Sequence, residues 1–335
     1  MTATRFDVLA VGNAIVDVLS PATDAFLADE GIARDAMTLI DEERARTLYE
    51  RMQPGKEASG GSAANTVAGI ASLGGRAAYI GKVADDQLGE IFSHDIRAIG
   101  VDFASTPLKG GPATARCLIN VTPDAGRSMS TFLGAAALVT EDDVEAGADA
   151  LRASSIVYLE GYLFDREEAK RAYVRAAELA AAAGRKTALT LSDTFCVARH
   201  RAAFRHLVAN HIDILLANEA EITALYETED FDLAIEMCRR DVAIAAVTRS
   251  DKGAVLLRDK ETVTIKAEPV SELVDTTGAG DLFAAGFLLG LAQDRSLAES
   301  GRMGAICAAE IISHFGARPE CSLKTLAEDA GIPFE

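Results

Sequence analysis

From Ser154 onward the chain alternates short apolar runs with helical stretches so regularly that few folds can accommodate it. Ile156 to Leu159, Lys186 to Leu191 and Ile212 to Ala217 read as buried strands, and Arg166 to Ala183 and Arg199 to Asn210 as the helices between them. Strands that take turns with helices in this way imply a parallel sheet with right-handed crossovers. Phe6 to Gly12 and Ala243 to Thr248 are further runs of the same kind. Ligands of open α/β sheets bind beyond the carboxyl ends of the strands, which puts Asn13 and Asp17, just after the first strand, where a substrate would lie. Taken alone, a turn with solvated Asn and Asp side chains explains them as well.

The 335 residues exceed the usual size of one core, so one large domain with a smaller element, or two domains, is expected. A net charge of −18 with no Lys/Arg run disfavours a nucleic-acid partner, and any phosphate ligand has to meet positive potential made locally. Cys117, Cys196, Cys238, Cys307 and Cys321 are scattered, as reduced cytoplasmic thiols would be. Asp7 and Asp17 interrupt the first apolar run, and no stretch is long enough to span a bilayer, so neither a leader nor a membrane partner is expected.

Glycine-rich entries to helices carry the candidate chemistry. In Asp275-Thr276-Thr277-Gly278-Ala279-Gly280-Asp281-Leu282-Phe283, a turn runs into the apolar series Phe283, Phe287, Leu288, Leu291. The unpaired N–H groups of Ala279, Gly280 and Asp281 at such an end suit an anion, and Asp281 would stand in the first helical turn, placed to take a proton from a hydroxyl. A carboxylate that merely complements the helix dipole is the plainer account. Ser59-Gly60-Gly61-Ser62-Ala63-Ala64-Asn65 is a second such entry, in which small residues admit a ligand or tight helix packing and Asn65 can exchange hydrogen bonds with hydroxyls. Asn218 and Glu221, one turn apart at the end of a strand, offer hard oxygen ligands or simply an acidic helix start. Asp41 to Met52 reads as a helix; Ala113 to Val121 and Arg127 to Phe132 read as strands joined by Pro123-Asp124-Ala125-Gly126. A final helix from Leu297 to His314 is expected to stop at Gly316, with His314 structural.

The nonapeptide ending in Phe283 resembles the second signature of the ribokinase-like, or PfkB, kinases, and Ser59 to Gly75 with Ala78 to Gly89 resembles their first. The resemblance runs from about Phe6 to Gly316. It implies one kinase domain over 1–335, with a three-layer α/β/α core, a mostly parallel central sheet and a small β-sheet lid from roughly 14–45 and 104–134. It implies ATP-dependent phosphorylation of a hydroxymethyl group, with Asp281 as base and Gly278, Ala279 and Gly280 as anion hole. Arg127 would supply charge to the phosphoryl group, or be a solvated hairpin arginine. Asn13, Asp17, Gly60, Gly61 and Asn65 would hold ribose hydroxyls. Asn218 and Glu221 would act on Mg2+ largely through water, Thr248 and Gly253 would lie at the nucleotide, and Asp275 and Thr277 match positions where some members bind K+. Ser250 departs from the family by replacing a nucleotide-loop glycine. The pattern Pro112 to Ala136 looks more like the adenosine kinase branch, yet Tyr162-Leu163 stands where that branch has an aromatic pair, with Phe164 next as a compensating ring. Adenosine ranks first as acceptor, inosine or guanosine next, and ribose or a related free sugar third. A nucleoside sensor without turnover is the alternative of another class. Monomer and homodimer are both open.

Overall fold

The computed structural model describes residues 4–124 and 126–334, so Ala125 of the expected turn lies outside the described residues. In chain order the strands are β1 (Phe6–Val11), β2 (Ile15–Pro21), β3 (Met37–Leu39), β4 (Lys56–Gly60), β5 (Ala77–Ile80), β6 (Asp102–Phe103) and β7 (Ala115–Val121). Then follow β8 (Arg127–Phe132), β9 (Ser154–Glu160), β10 (Lys186–Thr190), β11 (Ile214–Asn218), β12 (Ile244–Thr248), β13 (Ala254–Arg258) and β14 (Glu261–Ile265).

They make a nine-stranded sheet of order β14-β13-β12-β11-β10-β9-β1-β5-β6 and a five-stranded sheet of order β3-β8-β7-β2-β4. The large sheet is parallel from β12 to β6, and β13 and β14 close one end as an antiparallel hairpin that the sequence pattern did not reveal. Side chains along a strand point to opposite faces, so Val8 and Ala10 join one apolar cluster while Leu9 and Val11 join the other. The first cluster is closed by the helices Ser62–Ser72, Ala279–Ala292 and Leu297–Ile311, the second by Glu167–Ala182, Thr194–His211 and Phe231–Asp241. Two helix layers on a buried parallel sheet are the α/β/α arrangement expected from the alternation.

β1 pairs with β5 on one side and β9 on the other, so the direction of winding reverses there and opens a crevice at the strand ends. The small sheet stands beside that crevice because β2 leaves directly from β1. It also takes in β4, outside the ranges read from the sequence, since Lys56–Gly60 hydrogen-bonds antiparallel to β2.

Two boundaries differ for tertiary reasons. The helix expected to reach His314 ends at Ile311, where the Ile312 carbonyl accepts from Val274 N at 2.9 Å, and a further helix, Leu323–Asp329, follows. The helix expected from Arg199 begins at Thr194, capped by Asp193, and is kinked at His200, close to where the sequence pattern starts it.

Candidate active site

The helix Ser62–Ser72 starts at Gly61, whose φ of 95° is comfortable only for glycine, and a Cβ there would sit 2.2 Å from the Asn13 carbonyl oxygen. Eight residues on, Gly69 lets this helix lie against Ala279–Ala292, because a Cβ would meet Leu282 at 2.6 Å and Ala285 at 2.7 Å. The small residues therefore allow close helix packing, and that packing brings Ser62 and Asn65 to Asp281.

Asp281 is the product of that contact. Ser62 Oγ donates to its Oδ1 at 2.6 Å, Asn65 Nδ2 to its Oδ2 at 3.0 Å, and Thr66 Oγ1 to its carbonyl at 3.1 Å. Burial pushes the Asp281 carboxyl up to about 6 against the pull of Ser62, Asn65 and Arg318. Gly278, at φ 81°, turns the chain into the helix. The Ala279 amide donates to Thr276 O at 3.2 Å and intrahelical bonding starts with Leu282 N to Gly278 O, which leaves the amides of Gly280 and Asp281 as the free first-turn donors. Gly280 borders open space: a Cβ there would meet nothing within 4 Å.

Asn13 lies across the β1/β9 crevice, where its Nδ2 donates to Glu160 Oε1 at 2.6 Å. Glu160, 1% exposed, also accepts from Ala63 N at 2.8 Å and so ties β9 to the Gly61 turn. Burial raises its carboxyl to about 7. Sequence reasoning missed Glu160; an acid closing the apolar run Ile156 to Leu159 was the available signal. Asp17 projects from β2 against Gly60, where any side chain would overlap its carboxylate. Burial raises Asp17 to about 6, with Arg318 and Arg127 attracting it and Asp281 repelling it. Asn13 Oδ1 and Asn65 Oδ1 are both buried acceptors without a partner among the described residues. Asn13, Asp17, Gly60, Gly61, Asn65 and Asp281 thus gather in one place.

A second group lies at the ends of β11 and β12, where Asn218 and Thr248 are register partners. Asn218 and Glu221 form a capping box: Asn218 Oδ1 accepts from Glu221 N at 2.8 Å, and Glu221 accepts from Asn218 N at 3.0 Å and from Nδ2 at 2.6 Å. They face each other, as the plainer account of the pair requires. Burial still lifts Glu221 to about 7 with Asp193 nearby, a carboxyl that a neighbouring cation would return to its ionised form. Thr248 and Gly253 bound a tight hairpin in which Ser250, in the glycine's place, adopts the left-handed φ of 53°. Tyr162 links the groups: its phenol donates to Ser192 O at 3.2 Å and is raised by burial and by Asp193, Asp281, Glu160 and Glu221. Phe164 does not stand in for a missing ring, because it is 2% exposed and stacked on Phe204 at 4.2 Å in the core.

Arg127 is not a solvated hairpin arginine. It is ion-paired to Asp275, with Nη1 also 3.3 Å from Thr277 Oγ1. Asp275 further accepts from Thr277 N at 3.0 Å, Thr277 Oγ1 at 2.7 Å and Gly316 N at 3.2 Å. With Asp275 so engaged, a K+ ion would have to compete with the guanidinium for Oδ2 and with Thr277 for Oδ1, and the side chains do not fit it. No cluster of three or more acidic, His or Cys side chains among the described residues could cage a metal, and no helix among them is long and apolar enough to cross a membrane. A cleft of about 320 Å³ between Lys186, Asp213, Arg258 and Arg295 lies at the other end of the strands, away from this chemistry.

Comparison with known proteins agrees with the fold. The family model described as pfkB family carbohydrate kinase matches residues 32–325. The structure superposes on a probable sugar kinase from Rhizobium etli CFN 42 with a TM-score of 0.91 at 50% identity, covering 98% of this chain and 100% of the other. It superposes on adenosine kinase from Sinorhizobium meliloti with a TM-score of 0.89 at 54% identity, covering 97% and 99%. In sequence, adenosine kinase of Saccharomyces cerevisiae is 27% identical over 92% of this chain and 95% of its own length. Fructokinase-1 of Oryza sativa is 27% identical over 81% and 87%.

Proposed function

The chain belongs to the pfkB family of carbohydrate kinases and is a phosphotransferase, and from that premise we propose that it moves the γ-phosphate of ATP to the 5′-hydroxyl of a nucleoside, adenosine before inosine or guanosine. The observation that carries the reading is the pair of orphaned acceptors, Asn13 Oδ1 and Asn65 Oδ1, buried beside Asp17 and Asp281. Buried acceptors need donors, and the hydroxyls of a ribosyl group supply several at this spacing of polar groups. The 54% identity to an adenosine kinase supports the nucleoside, and Tyr162, partly exposed between the two polar groups, offers a face to a base.

In this reading Asp281, held by Ser62 and Asn65, accepts the proton of the hydroxyl as it attacks. The free amides of Gly280 and Asp281 and the helix dipole stabilise charge on the transferring group. Mg2+, arriving with the nucleotide, would neutralise phosphate charge, with Asn218 and Glu221 holding it through water and Thr248 and Gly253 at the nucleotide. Closure of the small sheet would keep water from the phosphoryl group. A free sugar as acceptor is the second reading, favoured by the fructokinase relatives.

The test is ADP formation from MgATP with adenosine, inosine, guanosine, ribose and fructose. The proposal expects adenosine to give the highest kcat/KM. A preference for ribose or fructose would replace the nucleoside, and specific binding of adenosine without ADP release would mark a sensor.

A further inference from the structure

Arg318 lies between the helices Leu297–Ile311 and Leu323–Asp329, and its guanidinium reaches back to the turn that holds the acceptor site. Nε and Nη2 donate to the Ser59 carbonyl at 2.9 and 2.8 Å, Nη2 also to Ser59 Oγ at 2.9 Å, and Nη1 to the Ala64 carbonyl at 2.6 Å. Ser59 and Ala64 bracket Gly60, Gly61 and Ser62, and Ala64 precedes Asn65. Ser59 is gripped from the other side too, its amide donating to Asp95 Oδ2 at 2.7 Å. The segment that sets Ser62 and Asn65 against Asp281 is therefore fastened by one forked cation from the far end of the chain.

The charge of that fork is informative. A tether to neutral oxygens needs donors but no charge, and a desolvated cation is costly unless anions face it. Those facing Arg318 are Asp17 from β2, Asp95 from the helix Gln87–Ala98 and Asp281, with Tyr79 of β5 beside them. Around Asp281 itself stand Asp17, Tyr158 and Glu160 of β9, and Tyr162, none of them cationic. Among the described residues Arg318 is the positive charge that acts on Asp281, and an arginine keeps that charge throughout the working pH range.

We propose that Arg318 is a positioning residue for phosphoryl transfer: it locks the Ser59–Ala64 turn so that Ser62 and Asn65 aim the Asp281 carboxylate, and its fixed charge favours the carboxylate forms of Asp281 and Asp17. The inference rests on Asp281 being the base.

The experiment is the pH dependence of kcat/KM for the purified full chain with Arg318→Gln and Arg318→Lys. Removing a nearby positive charge makes a carboxyl harder to ionise, so Arg318→Gln should move the acid limb from near pH 6 to about pH 7 and lower kcat at pH 7.5 by about tenfold, with KM for ATP unchanged. Arg318→Lys keeps the charge and loses the fork, so its acid limb should stay in place while kcat remains depressed. An unmoved limb in Arg318→Gln would reduce Arg318 to a structural tie. Should that variant not fold, a moved limb in Arg318→Lys would overturn the proposal equally. Asp281→Asn separates this inference from the function it rests on. If turnover survives there, the base assignment falls, and Arg318→Gln must still weaken acceptor binding in calorimetry for the positioning role to stand.

Discussion

A carboxylate serves as a base only while it is ionised, which makes Asp281 the residue with the sharpest expectations. Its carboxyl sits near 6 because burial raises it, so kcat/KM should fall about tenfold for each pH unit once well below that value. Steady-state rates from pH 5 to 8.5 check this. Asp281→Asn should lose about 10³-fold in kcat with the Tm little changed. Asn65→Ala removes both a donor to Asp281 and an orphaned acceptor, so kcat/KM should drop by about 10- to 100-fold, with a rise in acceptor KM as part of it. Ser250 carries a different cost. A side chain at φ 53° is strained, and Ser250→Gly should stabilise the fold by about 0.5–1 kcal/mol, read from denaturant midpoints.

Among elements, the decisive contact is between the helices Ser62–Ser72 and Ala279–Ala292, because it joins two glycine turns that are remote in sequence. Gly61 controls the first turn. Gly61→Ala would place a methyl 2.2 Å from the Asn13 carbonyl at φ 95°, so we expect a Tm lower by several degrees and loss of acceptor binding, measured by thermal melts with and without adenosine. The strand β8 reaches the other turn through Arg127, whose guanidinium already fills the anionic corner at Asp275. Replacing K+ by Na+ should therefore leave kcat unchanged, whereas strong activation by K+ would mean that Arg127 yields Asp275 during turnover.

For the molecule as a whole, the site is a concentration of buried acids in a chain of net charge −18. Asp17, Glu160, Glu221 and Asp281 are all raised, to about 6 or 7. The folded state then binds more protons than the unfolded chain between about pH 4.5 and 7, so stability falls as pH rises through that window. The protein without substrate should melt at a higher temperature at pH 5.5 than at pH 8, and added salt should raise the pH 8 value by screening self-repulsion. A flat profile would mean that water relieves the burial of these carboxyls.

What the sequence alone determined is what local periodicity and local chemistry can encode. Apolar runs alternating with helical stretches specify a parallel α/β sheet, glycines before apolar helices specify open N-termini, and Asp281 falls in the first turn by counting. Tertiary structure alone decided which side chains meet. Ser62 reaches Asp281 across 219 residues, Asn13 reaches Glu160 across 147, and Arg318 reaches Ser59 across 259. No spacing rule links residues so far apart. The same reason hid β4, which becomes a strand by pairing with β2, and Phe164, which looked available to a ligand until the Phe204 ring was found stacked upon it. Turns and helix ends are written within a few residues of themselves, whereas the partners of a buried carboxylate are chosen by the packing of the sheet.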